Sequence, residues 1–453
     1  MEKWGIWGLG VVGKSVIRHL SASGYELSVY DSRTFSQEEL NFLATHQVKI
    51  YPPSEKERFI QDQDRIVPSP GIDASSLLPS RHVLELDLFM KSWKKPLIAV
   101  TGSLGKTTLV TALDQIIKAH SLSVATGGNI GTPMLDLLAV QDISDYGLLE
   151  LSSFQLEYSD SCIPDLAIWT TFHPNHLDRH KTLDDYFMAK YRFIEHQTPQ
   201  QKALVPLNLS TKLRTVTNRS FSFFSPDPVT PSTRDLLQLG DVHYTLDQDT
   251  LIKTLIRFDG IAQSSKILIQ QSNNPLHQET WLCALAACDL LGLTQDNLLV
   301  LPDLTTVEHR LEMVGSYKGM LLYNDSKSTI IESTIAAVHK LFLSNRPIHL
   351  LLGGLSKGVD RTQGIHLLAH HVKTVACFGK EAQQLHTLCT ELGIDSSCHS
   401  TLLEALKVCV ENAQPEDTIL LSPGGSSYDL YKNFEERGNH FKALVQELQA
   451  NSL

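Results

Sequence analysis

The stretch "AVTGSLGKTTLV", residues 99–110, constrains the chain more than any other segment. The apolar run "LIAV", a glycine-bearing turn and then "KTTLVTALDQIIKAH" read as strand, loop and helix in direct succession. A helix that starts on such a turn presents backbone N–H groups and the positive end of its dipole, which suits a phosphate. Lys106 can reach a transferred phosphate, and Thr107 and Thr108 offer hydroxyls where Mg²⁺ would be held. The usual pattern has a glycine at position 100, where this chain has valine; here the glycines are Gly102 and Gly105, with Ser103 and Leu104 between them. The expectation is an ATP-binding loop within an α/β domain of parallel strands.

The rest of the chain repeats that alternation. At 453 residues it is too long for one core, and typical domain sizes suggest roughly two to four domains. Residues 1–90 read as a first α/β domain, with "WGIWGLG", "ELSVYDS" and "RIVPSPGI" as strands. A second domain, 91–300, starts after the linker "SWKKP", and residues 205–275 within it look less regular. A third, 301–453, carries the apolar strands "MLLYNDS", "PIHLLLGG", "TVACFG" and "TILLSPGG". No apolar run approaches the ~20 residues of a membrane span, and the first residues lack a secretory cleavage signal, so a cytoplasmic protein is expected. Seven cysteines without Cys-x-x-Cys spacing indicate neither zinc nor a disulfide framework and read as small buried residues. A net charge of −11 argues against a nucleic-acid binder, so an anionic substrate must meet a local positive site.

A second glycine turn, Gly8-Leu9-Gly10-Val11-Val12-Gly13, follows the first strand, with Asp31 ending the next. It allows two readings: a pyrophosphate cradle with Asp31 on a ribose, or a turn that merely permits close helix packing.

Several further pieces occur in one order: "GGNIG" (127–131), "LLELSSFQLE" (148–157), "NHLDRH" (175–180), "AKYRF" (189–193), "EHRLE" (308–312), "NDSKST" (324–329), "LLLGGLSKG" (350–358) and "LSPGGSSYDLYKNFEERG" (421–438). Together with TGxxGKTT they resemble the Mur ligase family almost end to end. "ELSSFQLE" and the final segment are most similar to its D-glutamate-adding branch. The resemblance implies a Rossmann-like UDP-binding domain, a central P-loop ATPase domain and a Rossmann-like domain that brings the amino acid. It also implies a monomer that adds D-glutamate to UDP-N-acetylmuramoyl-L-alanine through an acyl phosphate, using ATP and two Mg²⁺ ions.

Residue roles follow from the same resemblance. Lys106, Glu150, His176 and Lys190 would be catalytic, with one Mg²⁺ on Thr107 and Glu150 and the second on His176 and a Lys190 carbamate made from CO₂. Without the resemblance, Lys190 would be an exposed helix lysine and His176 a loop histidine. Gln278, Arg310, Asp325 and Lys327 would complete the ATP site. Gly8, Leu9, Gly10, Val11, Val12, Ser32, Arg33, Ser69 and Gly71 would take the UDP moiety, with Asn129, Gln155 and His176 reaching the muramoyl part. Thr329, Lys357, Ser427 and Phe434 would receive D-glutamate. Four positions depart from the family pattern: Leu104 replaces an asparagine, His277-Gln278-x-x-Trp281 replaces His-Asn-x-x-Asn at Gln278 and Trp281, and Tyr428 stands where leucine is commoner. Rival readings are an NAD-dependent oxidoreductase through the first glycine turn, a nucleotide-dependent switch, and another amino-acid ligase of Mur or folylpolyglutamate type.

Overall fold

Three separate sheets carry the chain. In the computed structural model the described residues are all but 75–76, 229, 231–233, 257–261, 271–277, 306, 343 and 451–453. The first sheet holds β1 (Lys3–Trp7), β2 (Glu26–Tyr30), β3 (Lys49–Tyr51) and β4 (Arg65–Pro68), all parallel in the order β3-β2-β1-β4. That order reverses at β1, so the loop after β1 opens into the crevice where α/β sheets bind ligands.

The second sheet has ten strands: β5 (Leu97–Thr101), β6 (Val124–Gly128), β7 (Tyr146–Glu150), β8 (Leu166–Trp169), β9 (Lys202–Pro206), β10 (Ser222–Phe224), β11 (Val242–Asp247), β12 (Thr250–Ile256), β13 (Ala262–Gln270) and β14 (Leu298–Val300). β5 lies between β7 and β8, parallel to both, and all five of its residues are buried. Burial on both faces is why "LIAVT" is uniformly apolar rather than alternating. Within the region 205–275, expected to be less regular, β11, β12 and β13 form an antiparallel meander on the parallel sheet. Its strands alternate only partly, so periodicity understated them.

The third sheet comprises β15 (Glu312–Tyr317), β16 (Met320–Asn324), β17 (Ile348–Gly353), β18 (Thr374–Phe378), β19 (Ser396–His399) and β20 (Thr418–Leu421), in the order β15-β16-β20-β17-β18-β19. Only β15 runs antiparallel.

The chain divides into two compact units, residues 1–172 with 187–305, and residues 173–186 with 306–453. The first two sheets thus share one unit, and the short segment His173–Tyr186 groups with the third sheet. Within the first unit Asp136 ties the Val11–Ser21 helix to the middle sheet's side, accepting from Ser15 Oγ at 2.8 Å and Arg18 Nη2 at 2.5 Å. All seven cysteines are free thiols; six are buried as expected, but Cys398, on edge strand β19, is exposed. Among the described residues no helix is long and apolar enough to cross a membrane.

Gly13 lies inside the Val11–Ser21 helix, where alanine would ordinarily gain about 1 kcal/mol in helix propensity. A Cβ there would drive into the Gly8 carbonyl oxygen, a backbone atom held by the Gly8 N–H bond to Tyr30 O at 2.8 Å. Overpacking of that kind costs about 1–3 kcal/mol, so the clash wins. Gly13→Ala is therefore expected to lower the thermal midpoint of the protein, measured by circular dichroism.

Candidate functional site

The turn after β1 is held from beneath. Leu9 N–H donates to Asp31 Oδ2 at 2.9 Å and Arg33 N–H to Asp31 Oδ1 at 3.2 Å. Both carboxylate oxygens are thus engaged by the protein, which weakens the reading of Asp31 as a ribose-binding acid. Arg33 donates to Glu39 at 2.8 and 2.9 Å and to Leu9 O at 3.1 Å. Its charge is therefore balanced by a buried carboxylate that the sequence reading passed over. The Arg33 bonds foremost, with the Ser36 N–H, hold the Glu39 carboxyl at about 2. Gly10 caps the following helix without a side-chain hydrogen bond, Val11 is exposed beside it, and Ser69 Oγ donates to Gly8 O at 3.2 Å. Gly71 has open space where a side chain would be, and Ser32 is exposed.

The second glycine loop joins β5 to the Lys106–Ala119 helix. It is fastened to the end of β8: Ser103 N–H donates to Thr171 O at 2.9 Å, Leu104 N–H to Thr171 Oγ1 at 2.9 Å, and Thr170 Oγ1 to Leu104 O. Gly102, at φ 147°, has no room for a side chain because Thr170 Oγ1 fills that space. The two threonines of "WTTF" anchor the loop through the backbone of Leu104. Nothing in the spacing of the sequence marked them.

Lys106 Nζ donates to Gly102 O at 2.8 Å, curled over its own loop. Thr107 Oγ1 donates to Glu150 Oε2 at 2.7 Å, and Asn129 Nδ2 to Glu150 Oε1 at 2.9 Å. Glu150 ends β7 at 2 % exposure, so these bonds hold a buried carboxylate in one orientation. Thr108 Oγ1 is buried with no partner among the described residues.

Lys190 is not the exposed helix lysine its sequence context suggests: it is 1 % exposed, with Nζ 3.1 Å from Gly102 O and 3.3 Å from Thr101 Oγ1. Burial pushes its amine well below the ordinary range, and the nearby Lys106 charge adds to this while Glu150 opposes it. The structure therefore brings Lys106, Thr107, Asn129, Glu150 and Lys190 around one loop. Their donors are a carboxylate, a hydroxyl and an amide oxygen, a set that suits a hard cation shared with phosphate oxygens. Among the described residues no three His, Cys, Asp or Glu side chains cluster as a self-sufficient metal cage.

Two positions within the quoted motifs have partners inside the protein. Gln155 closes a capping box, its Oε1 accepting from Ser152 N–H at 2.9 Å, and is buried. Trp281 is packed in the core of the middle sheet, while Gln278 is exposed at the start of the Gln278–Leu290 helix. His277 lies outside the described residues. Thr280, unnoticed in the sequence, has its Oγ1 3.4 Å from where a Cβ on Gly105 would stand.

In the second unit His176 caps the short Leu177–His180 helix with φ 56°, a left-handed conformation uncommon for a non-glycine residue. Lys357 shares that conformation at φ 55°, and its Nζ lies 3.5 Å from Asn175 Oδ1. Asp325 is fully buried, accepting from Ser422 Oγ at 2.7 Å and Leu311 N–H at 3.1 Å. Burial raises its carboxyl to about 6, against the pull of Arg310. Both of its carboxylate oxygens are thus engaged by the protein. Lys327 Nζ sits 4.9 Å from the Phe434 ring, Ser427 is buried in the turn after β20, Thr329 is half-buried after β16, and Tyr428 is exposed.

Comparison with known proteins covers each part of the chain. Three family descriptions match: "Mur ligase MurD-like, N-terminal domain" at residues 2–79, "Mur ligase middle domain" at 100–265 and "Mur ligase, glutamate ligase domain" at 309–425. The UDP-N-acetylmuramoylalanine--D-glutamate ligase of Oleidesulfovibrio alaskensis is 33% identical over 400 residues, covering 85% of this chain and 80% of its own. The ligase of the same name from Symbiobacterium thermophilum is 32% identical over 462 residues, covering 99% and 98%. In fold the chain is similar to the MurF ligase of Thermotoga maritima solved in complex with ADP, with a TM-score of 0.55 and 17% identity over 87% of this chain and 92% of that one.

The Arg33–Glu39 pair generates an acid dependence. Glu39 binds its proton less tightly folded than unfolded, so its contribution is complete above its ordinary value of 4.5 and is lost as pH falls from there towards about 2. Thermal melts of Glu39→Gln are expected to start lower at neutral pH and to fall less steeply across that window than those of the unaltered protein.

Proposed function

The chain belongs to the Mur ligase family, and from that premise we propose that it joins D-glutamate to UDP-N-acetylmuramoyl-L-alanine while ATP becomes ADP and phosphate. The observation that carries the reading is the grouping of Lys106, Thr107, Glu150 and a buried Lys190 at one phosphate-type loop, in a chain whose relatives of that name match it almost end to end. The domains are taken as 1–90 for the sugar nucleotide, 91–300 for ATP and 301–453 for the amino acid, in a monomer acting in the cytoplasm.

The chemistry explains why such a loop is needed. A carboxylate does not form an amide directly, because its carbon is shielded by negative charge and an oxide is no leaving group. The carboxylate of the muramoyl substrate instead attacks the γ-phosphorus of ATP, ADP departs, and an acyl phosphate results. Anion then meets anion, so positive charge must be gathered before the reactants approach. Lys106 donates to the phosphate once its ammonium leaves the carbonyls of its own loop. The amine of D-glutamate, deprotonated, next attacks the acyl carbon and phosphate leaves, which requires the two to be held in line. Lys357, Thr329, Ser427 and the backbone at Phe434 hold the two carboxylates of that amino acid, while Gln278, Arg310, Asp325 and Lys327 frame the nucleotide. The turn Gly8–Val12, with Ser32, Arg33, Ser69 and Gly71, takes the UDP group, and Asn129, Gln155 and His176 adjoin the muramoyl part.

Bound Mg²⁺ would neutralise phosphate charge, with Thr107 and Glu150 as donors for one ion and His176 with Lys190 for a second. An ammonium cannot be such a donor, but a carbamate can. Burial disfavours the charged amine, which favours loss of its proton; Lys190 Nζ would then attack CO₂, forming the N–C bond and releasing one further proton. The buried position of this lysine is what supports the carbamate.

Two measurements test the reading. Phosphate release across a panel of amino acids should depend on both UDP-N-acetylmuramoyl-L-alanine and D-glutamate; release without either substrate, or with a different amino acid alone, would overturn it. Lys190→Ala is expected to lose activity by about 10²-fold or more and to regain part of it with added short carboxylates. Full activity of that variant without any addition would exclude the carbamate.

A further inference from the structure

In the third sheet β16, β20 and β17 are neighbours, and each ends in a loop carrying a position proposed above for the amino acid: Thr329, Ser427 and Lys357 respectively. Beyond the strand ends the loops share a few backbone bonds, such as Gly424 N–H to Ser328 O at 3.1 Å. Two buried arginines add side-chain bonds to these. Arg437 is 0 % exposed; its Nε donates to Ser326 Oγ at 3.0 Å, Nη2 to Ser326 O at 2.7 Å and Nη1 to Gly425 O at 3.1 Å. One planar group thereby joins the loop after β16 to the loop after β20. Ser326 Oγ extends the contact to Phe434 O at 2.8 Å.

Arg361 is 5 % exposed and acts on the third loop. Its Nη1 donates to Gly353 O at 3.4 Å and Gly354 O at 3.3 Å, and its Nη2 pairs with Glu381. Glu381 in turn accepts from Ser356 N–H at 3.1 and 3.2 Å, next to Lys357. The two systems meet where Leu355 and Ser426 exchange N–H to O bonds, both 2.9 Å. A buried guanidinium spent largely on neutral carbonyls is costly to desolvate, and hydrophobic packing would stabilise a core more simply. A rigid fork fixes loop geometry as a flexible ammonium does not.

We propose that Arg361 and Arg437 are positioning residues that hold the three loops in register, so that Lys357, Thr329 and Ser427 meet a dicarboxylate amino acid already assembled. The inference rests on the functional reading above for the identity of that substrate. The loop clamp itself does not.

The test uses Arg361→Lys and Arg437→Lys in the full chain. Each should raise the KM for D-glutamate by about tenfold or more while the KM values for ATP and the UDP substrate stay within about twofold. Amide exchange at Leu355 and Ser426 should quicken by about tenfold while the interiors of β17 and β20 keep their protection. Unchanged exchange at those two amides in folded variants would overturn the clamp. Faster exchange with all three KM values moving together, or with none moving, would overturn its role in the amino-acid site. If a lysine variant does not fold, Ser326→Ala and Glu381→Gln each remove one partner and are read by the same two measurements. An unaltered protein that ignores D-glutamate would refute the functional reading, and the exchange result would still decide the clamp.

Discussion

Glu150 is the point on which the middle domain turns. A carboxylate at the buried end of β7 is stable only if its charge is answered, and Thr107 and Asn129 answer it with two short hydrogen bonds. Those bonds join the helix after the glycine loop, the strand β7 and the Gly127–Gly131 turn into one rigid corner. The loop is fixed from its other side by Thr170 and Thr171, at the end of the neighbouring β8. Parallel strand order makes this possible, since β7 and β8 flank β5 and end at the same edge of the sheet.

The same device recurs with different side chains. In the first sheet Asp31 and the Arg33–Glu39 pair support the turn after β1. In the third sheet Asp325, Arg361 and Arg437 support the loops after β16, β17 and β20. In each case charged side chains brace the backbone of a loop that leaves the sheet.

Much of this was legible in advance. The strand–loop–helix at 97–119 and the three successive α/β units follow from uniformly apolar runs ending in small residues, the mark of strands buried on both faces. The antiparallel meander at 242–270 was not, because its half-exposed strands mix apolar and polar residues without strict alternation. Lys190 carried no local sign of burial: only the packing of its helix against the loop encloses it. Gln155 was placed near the substrate by motif position, and the structure adds that it closes a capping box; Trp281, a departure from the family pattern, fills a core.

What the sequence by itself determined is the class of fold and the chemistry on offer, because periodicity and motif order are properties of the chain. Tertiary structure alone decided which charges are spent internally. Glu39, Arg361 and Arg437 look like ordinary polar residues until the strands align, since a hydrogen bond across 20 or 111 positions of chain depends on where the backbone brings its ends. It also decided the state of Lys190, for an amine's proton affinity is set by the solvent and charges around it.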